Sequence, residues 1–61
     1  MPSIYDSFCT ELATCVINKD IDKYETIHEI ARKSCPACFS SKAKVKYESD
    51  VLNIILNKIE T

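Results

Sequence analysis

Ile4-Tyr5-Asp6-Ser7-Phe8-Cys9-Thr10-Glu11-Leu12-Ala13-Thr14-Cys15-Val16 is the stretch that decides how this 61-residue chain folds. Ile4, Tyr5, Phe8, Leu12, Cys15 and Val16 recur at steps of three and four, which puts them on one face of a helix of period 3.6. The pattern predicts a first helix over about residues 3–18, with Ser3 as its N-cap and the polar run Asn18-Lys19-Asp20 closing it. In an unbroken helix Cys9 and Cys15 lie about 9 Å apart along the axis and roughly 120° around it. That is beyond the usual Cα limit of about 7 Å for a disulfide, and too wide for two thiolates on one tetrahedral zinc. A Cys9–Cys15 bridge and a simple four-cysteine zinc finger are therefore not expected.

Working outward, Asp22 followed by Glu25 reads as a capping-box variant, and Tyr24, Ile27, Ile30 and Ala31 continue as an apolar face with His28 at its edge. A second helix is expected over about residues 21–34, with Arg32 and Lys33 placed to complement the carbonyl end of its dipole. Pro36 disfavours helical geometry at Cys35, so Cys35-Pro36-Ala37-Cys38 should form a turn. A third helix is clearest over residues 50–60, where Val51, Leu52, Ile55, Leu56 and Ile59 form a stripe; Ser40 or Ser41 could cap it earlier. The alternation Lys42-Ala43-Lys44-Val45-Lys46-Tyr47 also fits a short strand. Helix is favoured, because a lone strand leaves its backbone donors unpaired. The expected fold is thus all-α, a small three-helix domain over residues 1–61 with the Cys-Pro-Ala-Cys turn between helices two and three.

Short connections favour antiparallel neighbours. Folding helix two back on helix one near residue 20 brings Cys9 to the level of Ala31, and Cys35 and Cys38 to that same end. Three sulfurs then gather while Cys15 stays apart as a small buried hydrophobe. Cys9, Cys35 and Cys38 are the expected ligands if the chain holds a metal, with zinc the candidate ion. A Cys-x-x-Cys turn opening a helix also suits thiol redox chemistry, although no strand precedes Cys35 as in the βαβ setting of such motifs. His28 is expected to be half-exposed or hydrogen-bonded rather than a metal ligand, and no nucleophile, base and acid recur at a catalytic spacing. The cysteine spacings of six and three differ from the two equal spacings of paired-cysteine helical hairpins, so no family is assigned.

Hydrophobic residues make up 46% of the chain and charged residues 28%, the balance of a folding domain rather than a disordered tail. The amino terminus, Met1 to Asp6, has no basic segment, and no stretch approaches the apolar length of a membrane span. A cytoplasmic protein is expected, with no membrane partner. Net charge is −1, yet residues 30–47 carry Arg32, Lys33, Lys42, Lys44 and Lys46 without an acid. That basic segment suits an acidic protein surface or, less well at this net charge, nucleic acid. Ile54 is expected opposite the stripe of helix three, on an outer face open to a partner or to another copy. The functional expectation is a small non-enzymatic binding or regulatory protein that contacts a macromolecular partner through Lys42, Lys44, Lys46, Phe39 and Ile54. A thiol-based metal or redox protein using Cys35, Cys38 and Cys9 is the alternative.

Overall fold

In the computed structural model, which describes residues 3–60, the periodic stretch forms one uninterrupted helix, α1 (Ile4–Ile17). Met1, Pro2 and Thr61 lie outside the described residues, as do the parts of the single-domain and signal-peptide readings that fall on them. Ser3 caps α1 as expected, its hydroxyl accepting from the Asp6 amide at 3.2 Å. Cys9, Leu12, Ala13 and Cys15 form the buried face, with Tyr5 and Phe8 half-buried beside it, whereas Ile4 and Val16 remain exposed.

The turn into α2 (Ile21–Ser34) is made by two residues. Lys19 adopts the left-handed conformation at φ 58°, and the Asp20 amide donates to the Cys15 carbonyl at 2.9 Å while Lys19 donates to Val16 at 3.1 Å. This pair of bonds is the Schellman closure of a helix, usually built on glycine at the left-handed position. The chain has no glycine, so a lysine carries that conformation. Asp20 then caps α2 with its own carboxylate, which accepts from the Lys23 amide at 3.2 Å. The expected capping residue, Asp22, lies inside the first turn instead, because the left-handed Lys19 has already turned the chain and brought Asp20 to the helix end. Two results are expected at this turn. Lys19→Gly should raise stability by about 0.5–1 kcal/mol, the relieved left-handed cost outweighing glycine's extra unfolded-state freedom. Asp20→Ala should lower it by about 1 kcal/mol, with Asp20→Asn nearly neutral. Urea unfolding of the three variants checks both signs.

α2 buries Ile27 and Ala31 against α1, half-buries Tyr24 and His28, and leaves Ile30 in solvent. After the turn at residues 35–38, a single 3-10 turn (Ser41–Ala43) leads into α3 (Lys44–Glu60). Residues 42–47 are therefore helical, and no strand occurs among the described residues. α3 runs parallel to α1, since Tyr5 bonds to Asp50 near one end and Lys58 donates to the Thr14 hydroxyl at 3.4 Å near the other. The result is an all-α domain of three helices with the cysteine turn between α2 and α3.

Both outer helices pack on α1, but α2 and α3 bring no pair of Cα atoms within 8 Å of each other among the described residues. Phe39 fills the space between them. Its ring is 1% exposed and meets Tyr5 at 5.5 Å, Tyr47 at 5.4 Å, Phe8 at 6.0 Å and His28 at 6.5 Å between centroids. Each distance lies in the favourable range for stacked, tilted or edge-on aromatic pairs.

α3 also turns differently from expectation. Tyr47 and Val51 are buried, and Ile54 and Ile55 pack against the core. Ile54 is therefore an inner residue, and the apolar residues facing out are Val45, Leu52, Leu56 and Ile59. Tyr47 sets this rotation: its ring must meet Phe39, and residues at steps of three and four from it follow inward.

Candidate functional site

The aromatic core reaches the surface between α2 and α3 as a cleft of about 400 Å³. Its floor is Phe39 with Tyr24, His28 and Tyr47; Arg32, Ser41, Lys44 and Glu48 form the rim. His28 and Tyr47 bridge the two helices by a bond of 3.0 Å from ring Nε2 to the phenol oxygen. Tyr24 stacks on His28 with centroids 6.2 Å apart and planes 12° from parallel. Burial raises the hydroxyl pKa of both Tyr24 and Tyr47 above the ordinary phenol value, so both stay protonated donors.

A second hollow of about 540 Å³ shares Arg32 and Ser41 with the first and adds Glu29, Lys33, Pro36 and Ser40. The two concavities join the basic end of α2 to the basic start of α3. Helix geometry explains this: Arg32 and Lys33 end α2, the turn reverses the chain, and Lys44 opens α3 beside them. His28, expected to be half-exposed or hydrogen-bonded, is both half-buried and hydrogen-bonded.

The five residues nominated for contact are dispersed by the fold. Lys44 lines the cleft and Lys42 is exposed at the 3-10 turn. Lys46 lies elsewhere, 3.4 Å from the Asp50 carboxylate and 4.8 Å from the centroid of the Tyr5 ring. Phe39 is a core residue rather than a surface contact, because the space left between α2 and α3 needs a large ring to close it. Ile54 likewise turns inward. Periodicity does not reveal Tyr24, Arg32 and Tyr47 as a group, since Tyr24 and Arg32 belong to α2 and Tyr47 to α3, and the bridge through His28 links the two helices.

Tyr5, Lys46 and Asp50 form a small polar cluster on the far side of α3. The Tyr5 hydroxyl donates to the Asp50 carboxylate. That bond is the main reason the Asp50 carboxyl lies below its usual range, and burial followed by the same bond pushes the Tyr5 hydroxyl up. A lowered carboxylate contributes stability that is present above its unfolded value and lost as pH falls through the folded one; a raised phenol contributes stability lost as pH climbs beyond its unfolded value. Stability should therefore decline below about pH 4 and again above about pH 10. In Tyr5→Phe both declines should be shallower, which urea midpoints across pH would detect.

Cys35 and Cys38 form a disulfide across the turn, with Cα atoms 5.3 Å apart, while Cys9 and Cys15 are free and buried. The first helix is unbroken, so Cys9 and Cys15 are unlinked for the reason the spacing gave. Burial pushes the Cys9 thiol up, against a smaller opposing pull from the Tyr5 hydroxyl. Cys9 therefore stays protonated and is a poor nucleophile as folded. Among the described residues, no group of three or more His, Cys, Asp or Glu is placed to hold a metal ion. No described helix is long and apolar enough to cross a membrane. No protein-family model matches the chain, and neither a curated protein nor a solved structure does.

Proposed function

We propose that the chain is a small non-enzymatic binding module, regulatory or accessory in role, that engages an acidic segment of a protein partner through the cleft between α2 and α3. The observation that carries this reading is the pair of neighbouring concavities that share Arg32 and Ser41. Arg32 and Lys44, with Glu48, rim the cleft floored by aromatic rings, and Arg32 and Lys33, with Glu29, line the neighbouring hollow. Ring edges and hydroxyls beside a few charged groups can fix the orientation of a bound segment. Rim cations act mainly on encounter rate and on choice of partner. His28 is engaged by Tyr47 rather than by an orienting carboxylate, which favours a positioning role over acid-base chemistry. Lys42, exposed in the 3-10 turn two residues before Lys44, adds positive charge to the same stretch of chain. We place the protein in the cytoplasm on the same reading.

The test is a fluorescence titration with a labelled peptide rich in Glu and aromatic residues, beside a single-stranded RNA of equal charge. Wild-type protein should bind the peptide with an affinity that falls as salt is raised. Arg32→Glu with Lys44→Glu should weaken it at least tenfold while helicity is unchanged. Equal binding by the variant would remove the cleft from the account, and preference for RNA would replace the protein partner with nucleic acid.

A second reading, thiol chemistry, is favoured by the pairing of Cys35 with Cys38. Two-electron reduction by a dithiol would open this turn to two thiols, and zinc would then have Cys35 and Cys38, with Cys9 as a third sulfur only if the buried thiol moved to join them. Intact mass with and without reductant, zinc and chelator separates the states. An ion retained by the reduced wild type and lost on Cys9→Ser would establish the metal form.

A further inference from the structure

Val45, Ser49, Leu52, Leu56 and Ile59 are spaced by four, three, four and three, the 3.5-residue mean of a coiled-coil seam. At 100° per residue they fall within about 80° of one another on α3. All five are exposed, the four apolar ones at 83, 54, 47 and 69% in chain order. The opposite face of α3 carries Tyr47, Val51 and Ile54 into the domain, and α1 is packed on that side. The outer seam is therefore not part of the chain's own core cluster. Knobs at this spacing fit the holes of another helix.

We propose that the partner helix is α3 of a second copy, paired antiparallel about a twofold axis. The charges beside the seam argue for this occupant. With the axis between Leu52 and Leu56, Leu52 of each copy meets Leu56 of the other. Lys46 of one then stands opposite Glu60 of the other at both ends, and Asn53 faces its own equivalent near the axis. Glu48, on the other flank, falls beyond the end of the opposing helix and keeps its water. A parallel pair would instead set Ile55 against Glu60 and give Lys46 no acid from the other copy beyond its own Asp50. An isologous contact of this kind closes on itself and stops at two chains. It is independent of the cleft reading, since none of the five seam residues lines the cleft and Glu48 alone borders both; a dimer would present two clefts.

Sedimentation equilibrium of the full chain, up to about 500 µM so that a weak pair is populated, tests the proposal. The mass should rise from 6.9 kDa to twice that value. Leu52→Asp with Leu56→Asp should raise Kd at least 100-fold with circular dichroism unchanged, since both positions are exposed. Glu60→Lys should raise Kd several-fold, and adding Lys46→Glu to it should recover most of that loss, with Lys46→Glu alone, which also gives up its contacts to Asp50 and Tyr5, weaker than the double variant. A chain that stays monomeric throughout, or a dimer indifferent to the two aspartates, would overturn the proposal. So would a seam that binds phosphatidylglycerol vesicles while the protein remains monomeric. Loss on the aspartates without any response to the charge exchange would overturn the antiparallel arrangement.

Discussion

Phe39→Ala should leave the chain unfolded or nearly so at 25 °C. Truncating a fully buried phenylalanine removes its transfer energy and leaves a cavity, a combined cost of about 3–5 kcal/mol. A domain of this length has about 3–9 kcal/mol in all, at roughly 0.05–0.15 kcal/mol per residue. The position also offers little chance of relaxation, because α2 and α3 have no backbone approach of their own that could close over the gap. Four aromatic neighbours lose their common partner at once. Far-UV circular dichroism and urea titration measure the loss. Phe39→Leu, which keeps much of the volume, should retain the fold and serve as the control. A cost below about 1 kcal/mol would place Phe39 outside the core, at the level of ordinary surface changes.

Opening the Cys35–Cys38 bridge is the second large effect. A cross-link closing a four-residue loop restricts the unfolded chain by about 2 kcal/mol in the chain-entropy treatment. Here the loop also delivers Phe39, the next residue, into the core, and the Phe39 amide donates to the Cys35 carbonyl at 3.2 Å. Reduction, or Cys35→Ser with Cys38→Ser, should lower stability by about 2 kcal/mol. The midpoint of thermal unfolding should fall by roughly 10–15 °C for a chain of this size. Thiol titration fixes the chemistry independently: two reactive thiols in denaturant, from Cys9 and Cys15, and four after reduction. Four thiols before reduction would show the bridge absent, and an unchanged midpoint would show the turn ordered without it.

The elements of this fold are legible in the sequence because each is marked twice, by an apolar period and by a stop. Ser3 and the Asn18-Lys19-Asp20 run bound α1; the Ile27 and Ala31 steps and Pro36 bound α2. What periodicity does not give is the rotation of a helix that has two apolar stripes. In α3, residues 51, 52, 55, 56 and 59 form the stronger stripe by count, yet the helix buries Tyr47 and Val51 and packs the half-buried Ile54 and Ile55 against the core. Area explains the choice: one tyrosine ring engaged with Phe39 and His28 outweighs aliphatic side chains that no neighbouring helix can reach. Phe39 itself was hidden for a related reason, since a residue just after a cysteine turn has no periodic context to signal burial. The cleft was half legible. Its lysines and arginine stood out as an acid-free run, whereas its aromatic floor depends on contacts between residues far apart in the chain.

The rotation of α3 and the cleft above the core depend on Phe39 lying at the junction of the three helices. Nuclear Overhauser contacts from the Phe39 ring protons in labelled protein test this most directly. The account predicts contacts to the rings of Tyr5, Phe8, Tyr47 and His28, together with slow exchange of the surrounding amides. A Phe39 ring in fast rotation, with random-coil shifts and no contact to Tyr5 or Tyr47, would contradict it.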